Sequence, residues 1–268
     1  MTTDNKRLGY GGSAEIGPTG DTAQVLITSG NMEQANTPSY LEMADIPPTD
    51  SSRSRTLHAD GTIIYSGTIA FDMTASALAL MTTSKFLKRR YQFHIGIHDG
   101  ENRWKMSDCY LMNLSLSGAP AGFITASLSF MAKSARSGPT ATVANAYILT
   151  DTPMGYWWSG NANVKEWTLT MNQAVDPVYV NENISSPTPD SPRYLKVGLV
   201  DYGLDVTCYQ DQSHSQIFIA TTSFTLTGIT TAKGYSFNGV TDLGMYSHSF
   251  VTAADAATGA GALVIQSP

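Results

Sequence analysis

Three groups of side chains in this chain are of types that could do chemistry. His94, His98 and Asp99 are residue types used in hydrolysis and metal binding. They sit in the alternating run Tyr91–His98 and the Asp99-Gly100 turn that follows it. On a strand, positions four apart are separated by roughly 13 Å, too far to share one ion. Asp201, Asp205 and Asp211 have neither a partnered base nor the oxygen-rich spacing of a calcium loop, so they read as a solvated strand face. Trp157-Trp158 could stack on a sugar or a base, but neighbouring strand residues face opposite ways, so a core or interface role is the better reading. The Gly-x-Ser-x-Gly elbow, the phosphate loop, the dinucleotide turn and the His-Glu-x-x-His pair are missing from the sequence. The expectation is a protein that is not an enzyme, with no catalytic residue, cofactor site or metal site.

Composition points the same way. The chain has 268 residues, 42% of them hydrophobic and only 14% charged, with a net charge of -6. Residues 1–140 carry 12 Lys+Arg against 12 Asp+Glu, and residues 141–268 carry 4 against 10. Such a balance disfavours a surface that grips phosphates, because nucleic-acid affinity rests on Lys and Arg. No apolar run reaches the roughly 18–20 residues that span a bilayer, and Met1-Thr-Thr-Asp-Asn-Lys-Arg7 lacks the apolar core of a signal peptide. Synthesis in the cytoplasm and no membrane partner are therefore expected. Cys109 and Cys208 read as small buried hydrophobes and not as a disulfide.

Short alternating runs of Val, Ile, Tyr and Phe predict antiparallel sheets. Residues 1–20, rich in glycine, read as a flexible arm, 21–33 as a strand, and 34–60 as a long polar excursion. Strands are expected at 62–73, 91–98, 104–117 and 122–132, with a helix over 75–90 ending in a basic turn and a linker at 134–140. Further strands are expected near 145–149, 155–158, 164–172, 194–200, 203–210, 216–227, 235–250 and 261–266.

The elements repeat. Val25-Leu-Ile-Thr, Asn31, Pro38-Ser-Tyr40, Ser51-Ser52 and Arg55-Thr-Leu57 recur in order as Trp167-Thr-Leu-Thr, Asn172, Pro177-Val-Tyr179, Ser185-Ser186 and Arg193-Tyr-Leu195. Tyr65–Met73 then falls opposite Asp201–Tyr209 at an offset of about 136 residues, pairing Gly67 with Gly203. The expected organisation is an arm at 1–20, a first domain at 21–134, a linker at 135–144 and a second domain at 145–268, each domain burying its own core. Two unrelated strand-rich halves are the alternative.

With this doubling, Gly61–Phe71 followed by the helix, Ser107–Ser117 followed by Gly122–Ala132, and Pro153-Met-Gly-Tyr-Trp-Trp followed by Val164–Asn172 resemble a bacteriophage tail tube protein with two fused tube domains. The resemblance implies a mainly β fold of two tandem β-sandwich or half-barrel domains, with one clear flanking helix in the first. It implies a structural virion protein whose homotrimeric, pseudo-hexameric rings stack into a tube for DNA delivery. Its partners would be further copies of itself and the tape measure, tail terminator and baseplate proteins, and DNA would pass without specific binding. Contacts between subunits or rings are expected at Pro47, Pro48, Asp50, Arg53 and Arg55 in the first long loop and at Pro187, Pro189 and Asp190 in its counterpart. Another ring-forming tail component, such as a baseplate or adaptor protein, is the alternative. A carbohydrate-binding β-sandwich is the rival of a different class.

Overall fold

The computed structural model describes residues 13–17, 23–42, 56–83, 87, 91–98, 102–120, 122–139, 154, 163–179, 191–210, 216–219, 222–226, 229–236, 244–253 and 263–266. They form fourteen strands and one helix: β1 (Ser13–Gly17), β2 (Ala23–Glu42), β3 (Thr56–Asp72), α1 (Ala75–Thr83), β4 (Gln92–His98), β5 (Asn102–Gly118), β6 (Thr125–Ala132), β7 (Ser134–Pro139), β8 (Val164–Val178), β9 (Tyr194–Cys208), β10 (Gln216–Ile219), β11 (Thr222–Leu226), β12 (Ile229–Ser236), β13 (Met245–Ala253) and β14 (Leu263–Gln266). Eleven strands make one antiparallel sheet, and β10, β11 and β14 make a second.

β5 organises the large sheet. One of its edges carries β6 and, continuing the same line, β7. The other is shared, with β4 along Arg103–Tyr110 and β8 along Asn113–Gly118. Because β6 also pairs with β3, and β3 connects through β2 and β1 to β4, six strands form a closed circuit of hydrogen bonds. Within it Phe93 of β4 meets Phe130 of β6 edge to face, with centroids 6.1 Å apart. From β8 the sheet runs on through β9 and β13 to β12.

The sequence periodicity is visible in these strands, but several boundaries move. The segment read as an arm contributes β1, whose Ala14 and Ile16 are buried between β2 and β4. Two inward residues in five are enough for a strand that is paired on both edges. The polar excursion 34–60 shrinks at both ends, because β2 continues to Glu42 and β3 begins at Thr56. Pro38 lies where the register shifts between Thr37 and Ser39, an irregularity at which a strand tolerates proline. Ser134–Pro139, read as linker, is strand β7. The helix closes at Thr83 and not at residue 90, and Leu87 lies in a turn. Thr74 caps its start, accepting from the Ala77 N–H through Oγ1 at 3.2 Å, a bond worth about 1 kcal/mol. The stretches 194–200 and 203–210 form one strand, 216–227 splits into β10 and β11, and 235–250 divides between the end of β12 and β13. Residues 145–149 and 155–158 lie outside the described residues.

The two longest hairpins, β2–β3 and β8–β9, are built alike. Each first gains a residue on its leading strand, between Ile27 and Ser29 in one and between Val164 and Glu166 in the other. Each then sets two residues against three, at Thr37/Ser39 and at Gln173/Val175. Tyr40 lies near the end of the first leading strand and Tyr179 directly follows the second. Aligning the buried faces places Tyr65 with Tyr202, Ile69 with Val206 and Phe71 with Cys208, one residue away from the Gly67/Gly203 equivalence read from the sequence. Gly67 faces the core, whereas Gly203 faces outward beside Thr170. A matching glycine is weaker evidence of register than a matching run of buried side chains.

The halves do not bury separate cores. Residues of β1–β6, α1, β8, β9, β10, β11 and β13 join in one apolar cluster. Tyr202 Oη donates to the Leu87 carbonyl, tying β9 to the turn after α1. A smaller cluster of Met131, Val175 and Leu195, with Ile64, Tyr110 and Met112, seats the far end of β8–β9 on the outside of the six-strand circuit. Gln173 donates to Leu111 O at 2.9 Å and Tyr179 to Ile63 O at 2.8 Å along that contact. Both cysteines are free and buried, and burial pushes the Cys109 thiol far up.

Two expectations follow. A Cβ at Gly67 would lie 2.6 Å from Phe130 Cζ and 2.7 Å from the Asn31 carbonyl, whereas one at exposed Gly122 would meet nothing closer than 3.6 Å. Gly67→Ala should therefore lower stability by about 1–3 kcal/mol in urea unfolding, and Gly122→Ala should leave it nearly unchanged. Burial raises the Tyr202 phenol from 10.0 to about 12. As an acid whose folded pKa lies above its unfolded value, it holds its full contribution below pH 10 and loses it as pH rises from 10 toward 12. Alkaline melts of the wild type should fall faster over that window than those of Tyr202→Phe.

Candidate functional site

Directly opposed residues in an antiparallel pair share a face, so the registers can be followed from strand to strand. One row reads Phe250, Leu204, Leu169, Leu116, Ala126 and Phe71, from β13 through β9, β8, β5 and β6 to β3, and every member is buried. The next apolar row reads Tyr202, Met171, Leu114, Leu128 and Ile69.

The rows that alternate with these are polar. Ser249, Asp205, Thr168, Ser117, Thr125 and Asp72 form one. Gly203, Thr170, Ser115, Ser127, Ala70 and Ser29 form a second, with Val251 at its β13 end. Asp201, Asn172, Asn113, Ser129, Thr68 and Asn31 form a third. Every one of these residues is exposed or half-buried. The rows cross seven strands, about 30 Å at 4.8 Å per strand, without a lysine, arginine or aromatic residue.

Short polar side chains hold one another across the strands. Asn113 Nδ2 donates to Asn172 Oδ1 over the β5–β8 seam, Ser249 Oγ donates to Asp205 Oδ1, and the Ser117 and Thr125 hydroxyls are 2.7 Å apart. The face presents hydroxyls, amides and the carboxylates of Asp72, Asp201 and Asp205, with Glu166 exposed at its margin.

Asp201 and Asp205 thus lie on a solvated strand face, as expected, and Asp211 falls outside the described residues. His94 and His98 are on β4, away from the polar rows, and no group of three metal-ligating residues occurs among the described residues. The loop residues expected to make contacts, Pro47, Pro48, Asp50, Arg53, Arg55, Pro187, Pro189 and Asp190, all lie outside the described residues, as do Asp99, Trp157 and Trp158. The root of the second loop is seated on the middle of β3: Tyr179 donates to Ile63 O, and the Tyr65 and Ser191 hydroxyls are 3.4 Å apart. No helix among the described residues is long and apolar enough to cross a membrane.

Sequence reasoning missed the polar face as a unit. Its signal was the Ser/Thr/Asn alternation in Asn113-Leu-Ser-Leu-Ser117, Thr125-Ala-Ser-Leu-Ser129 and Thr168-Leu-Thr-Met-Asn172, three runs with the same period. No protein-family model and no curated protein matches the chain.

The two faces should respond differently to truncation. Leu169→Ala on the buried side is expected to cost about 2–5 kcal/mol. Asn172→Ala, which releases an exposed amide to water, should cost less than about 1 kcal/mol. Paired urea titrations check the difference.

Proposed function

We propose that this chain is a structural subunit that assembles with copies of itself into rings, stacked as a phage tail tube, with the polar sheet face lining the channel. The observation that carries this reading is the largely polar face, shared by strands of both halves, whose three rows hold no cationic or aromatic side chain. A surface past which DNA must slide needs low affinity. Without lysine or arginine there is no counterion-release gain, and the carboxylates of Asp72, Asp201 and Asp205 repel phosphate. Without aromatics there is no platform on which a base could stack.

The likeness of hairpins β2–β3 and β8–β9, with the same order of irregularities, supports an internal duplication. Two like wedges per chain make a trimer the simplest closed ring of pseudo-sixfold symmetry. Past Ile63, β3 runs on for seven residues, roughly 23 Å of strand, and its partner β2 for six past Asn36. That length suits the loop bearing Arg53 and Arg55 to reach a neighbouring subunit or ring. The tape measure, terminator and baseplate proteins would be its other partners in a virion.

Electron microscopy and native mass spectrometry test the reading. Stacked rings or tubes built from trimers are the expected result. Discrete single rings would favour a baseplate or adaptor role, and a stable monomer, or six chains per ring, would reject the trimer. The channel assignment has its own test: assembled Asn113→Lys/Thr170→Lys protein should retain duplex DNA at low salt and release it as salt rises, whereas wild-type assemblies should retain none. Equal retention by both would show that this face does not meet DNA.

A further inference from the structure

Hairpin β8–β9 is held in two different ways along its length. Over residues 167–172, β8 is laddered to β5, and over 201–208, β9 is laddered to β13. Asn172 and Asp201 face each other, so both flanking ladders stop at the same level. Beyond that level residues 175–178 and 194–197 pair with each other and lie as a two-stranded ribbon on the outside of the six-strand circuit. Such a ribbon is marginally stable in water by itself, so its position depends on what its side chains touch. Val175 and Leu195 join Met131 in an apolar cluster distinct from the main core, with Ile64, Tyr110 and Met112 packed against it.

We propose that this ribbon is a hinged strap, which swings off β3, β5 and β6 as a unit while the rest of the sheet stays folded. Its hinge is the irregularity between the Gln173/Val200 and Val175/Val197 pairs, where Ala174 stands against Gly198 and Leu199. Such a place bends a strand, and small residues there leave room for backbone rotation. Gln173, on the sheet side of the hinge, is buried and donates to Leu111 O at 2.9 Å, which anchors that side. The latch is at the far end, on β3. There Tyr179 Oη donates to Ile63 O at 2.8 Å, and the Ser191 hydroxyl lies 3.4 Å from that of Tyr65.

Opening at this hinge costs less than opening anywhere nearer the seam. Swinging the strap away uncovers Val175, Leu195 and the strip beneath them, and its two strands keep their pairing with each other. Parting β8 from β5 would instead break the ladder from Asn113/Asn172 to Gly118/Trp167 and wet Leu114, Leu116, Leu169 and Met171 of the main core. Local openings follow the smallest cooperative unit, and here that unit is the ribbon. The strap is thus a mask. Closed, it keeps Ile64, Tyr110, Met112 and Met131 from water; open, it presents them as one apolar strip on the barrel wall. This property belongs to the single chain and does not rest on the assembly proposed above.

Thiol labelling of the full chain tests the strap. Cys109 and Cys208 are buried in the main core and report global unfolding. Val175→Cys puts a thiol into the cluster beneath the strap, and that thiol should react with a soluble disulfide reagent at least about tenfold faster than the two native cysteines. Adding Tyr179→Phe, which removes the latch donor, should raise the rate a further two- to tenfold or so without lowering the melting temperature. Adding Asn172→Ala, which breaks an exposed bond on the sheet side of the hinge, should leave the rate unchanged. Labelling in step with Cys109 and Cys208, or a rate indifferent to Tyr179→Phe, would overturn the strap. Hydrogen exchange of the unaltered chain decides the matter if Val175→Cys melts below the wild type. Amides of residues 175–178 and 194–197 should then exchange before those of 167–172 and 201–207, and exchange of all of them only through global unfolding would overturn the proposal.

Discussion

The register between β5 and β8 is the constraint on which the rest of the structure depends. Here Asn113 faces Asn172, Leu114 faces Met171 and Leu116 faces Leu169, and the alternation of one half of the chain is brought into phase with that of the other. A slip of one residue would turn every apolar side chain of β8 and β9 to water and bury Thr168, Thr170 and Asn172. Because the two halves share one core cluster, that slip would not be confined to the second half. The Asn113–Asn172 bond sits on the solvent side of the seam and matches amide to amide at the correct register. The energy lies on the other side, where Leu114, Leu116, Leu169 and Met171 are almost wholly removed from water.

The irregularities decide where the shared face stops. Beyond Asn172 the shift at Gln173/Val175 takes β8 off the edge of β5, and Gln173 turns inward to donate to Leu111 O. From there β8 and β9 present Val175 and Leu195 to the outer side of the six-strand circuit, covering Met131, Ile64 and Met112. The same outward parity that gives solvated Ser129 and Thr68 gives a covered apolar patch one step along the strands. The bulge at Gln173/Val175 therefore acts as a boundary between a wet surface and a packed one.

The polar face is defined as much by what it omits as by what it carries. The chain has sixteen lysines and arginines, yet none stands in the three polar rows. The charges that do stand there are carboxylates. A sheet suits such a surface because its pleat fixes side-chain direction over many strands, so one face can be kept uniform while the other is packed.

The sequence by itself determined the class of structure. Alternation in Thr125–Phe130, Trp167–Asn172 and Leu204–Cys208 is local, and local period is enough to give strands and their two faces. The burial of Cys109 and Cys208 and the exposure of Asp201 and Asp205 could be read from the same pattern. Tertiary structure alone decided that Ser13–Gly17 is an inner strand, that Ser134–Pro139 is paired, and that the halves share a core. It also moved the repeat by one residue, since Gly67 and Gly203 look alike in the chain but lie on opposite faces. The reason is physical: a hydrogen-bonded edge accepts any backbone, so which strands meet depends on how distant buried rows fit together, and that information is not carried by any one segment.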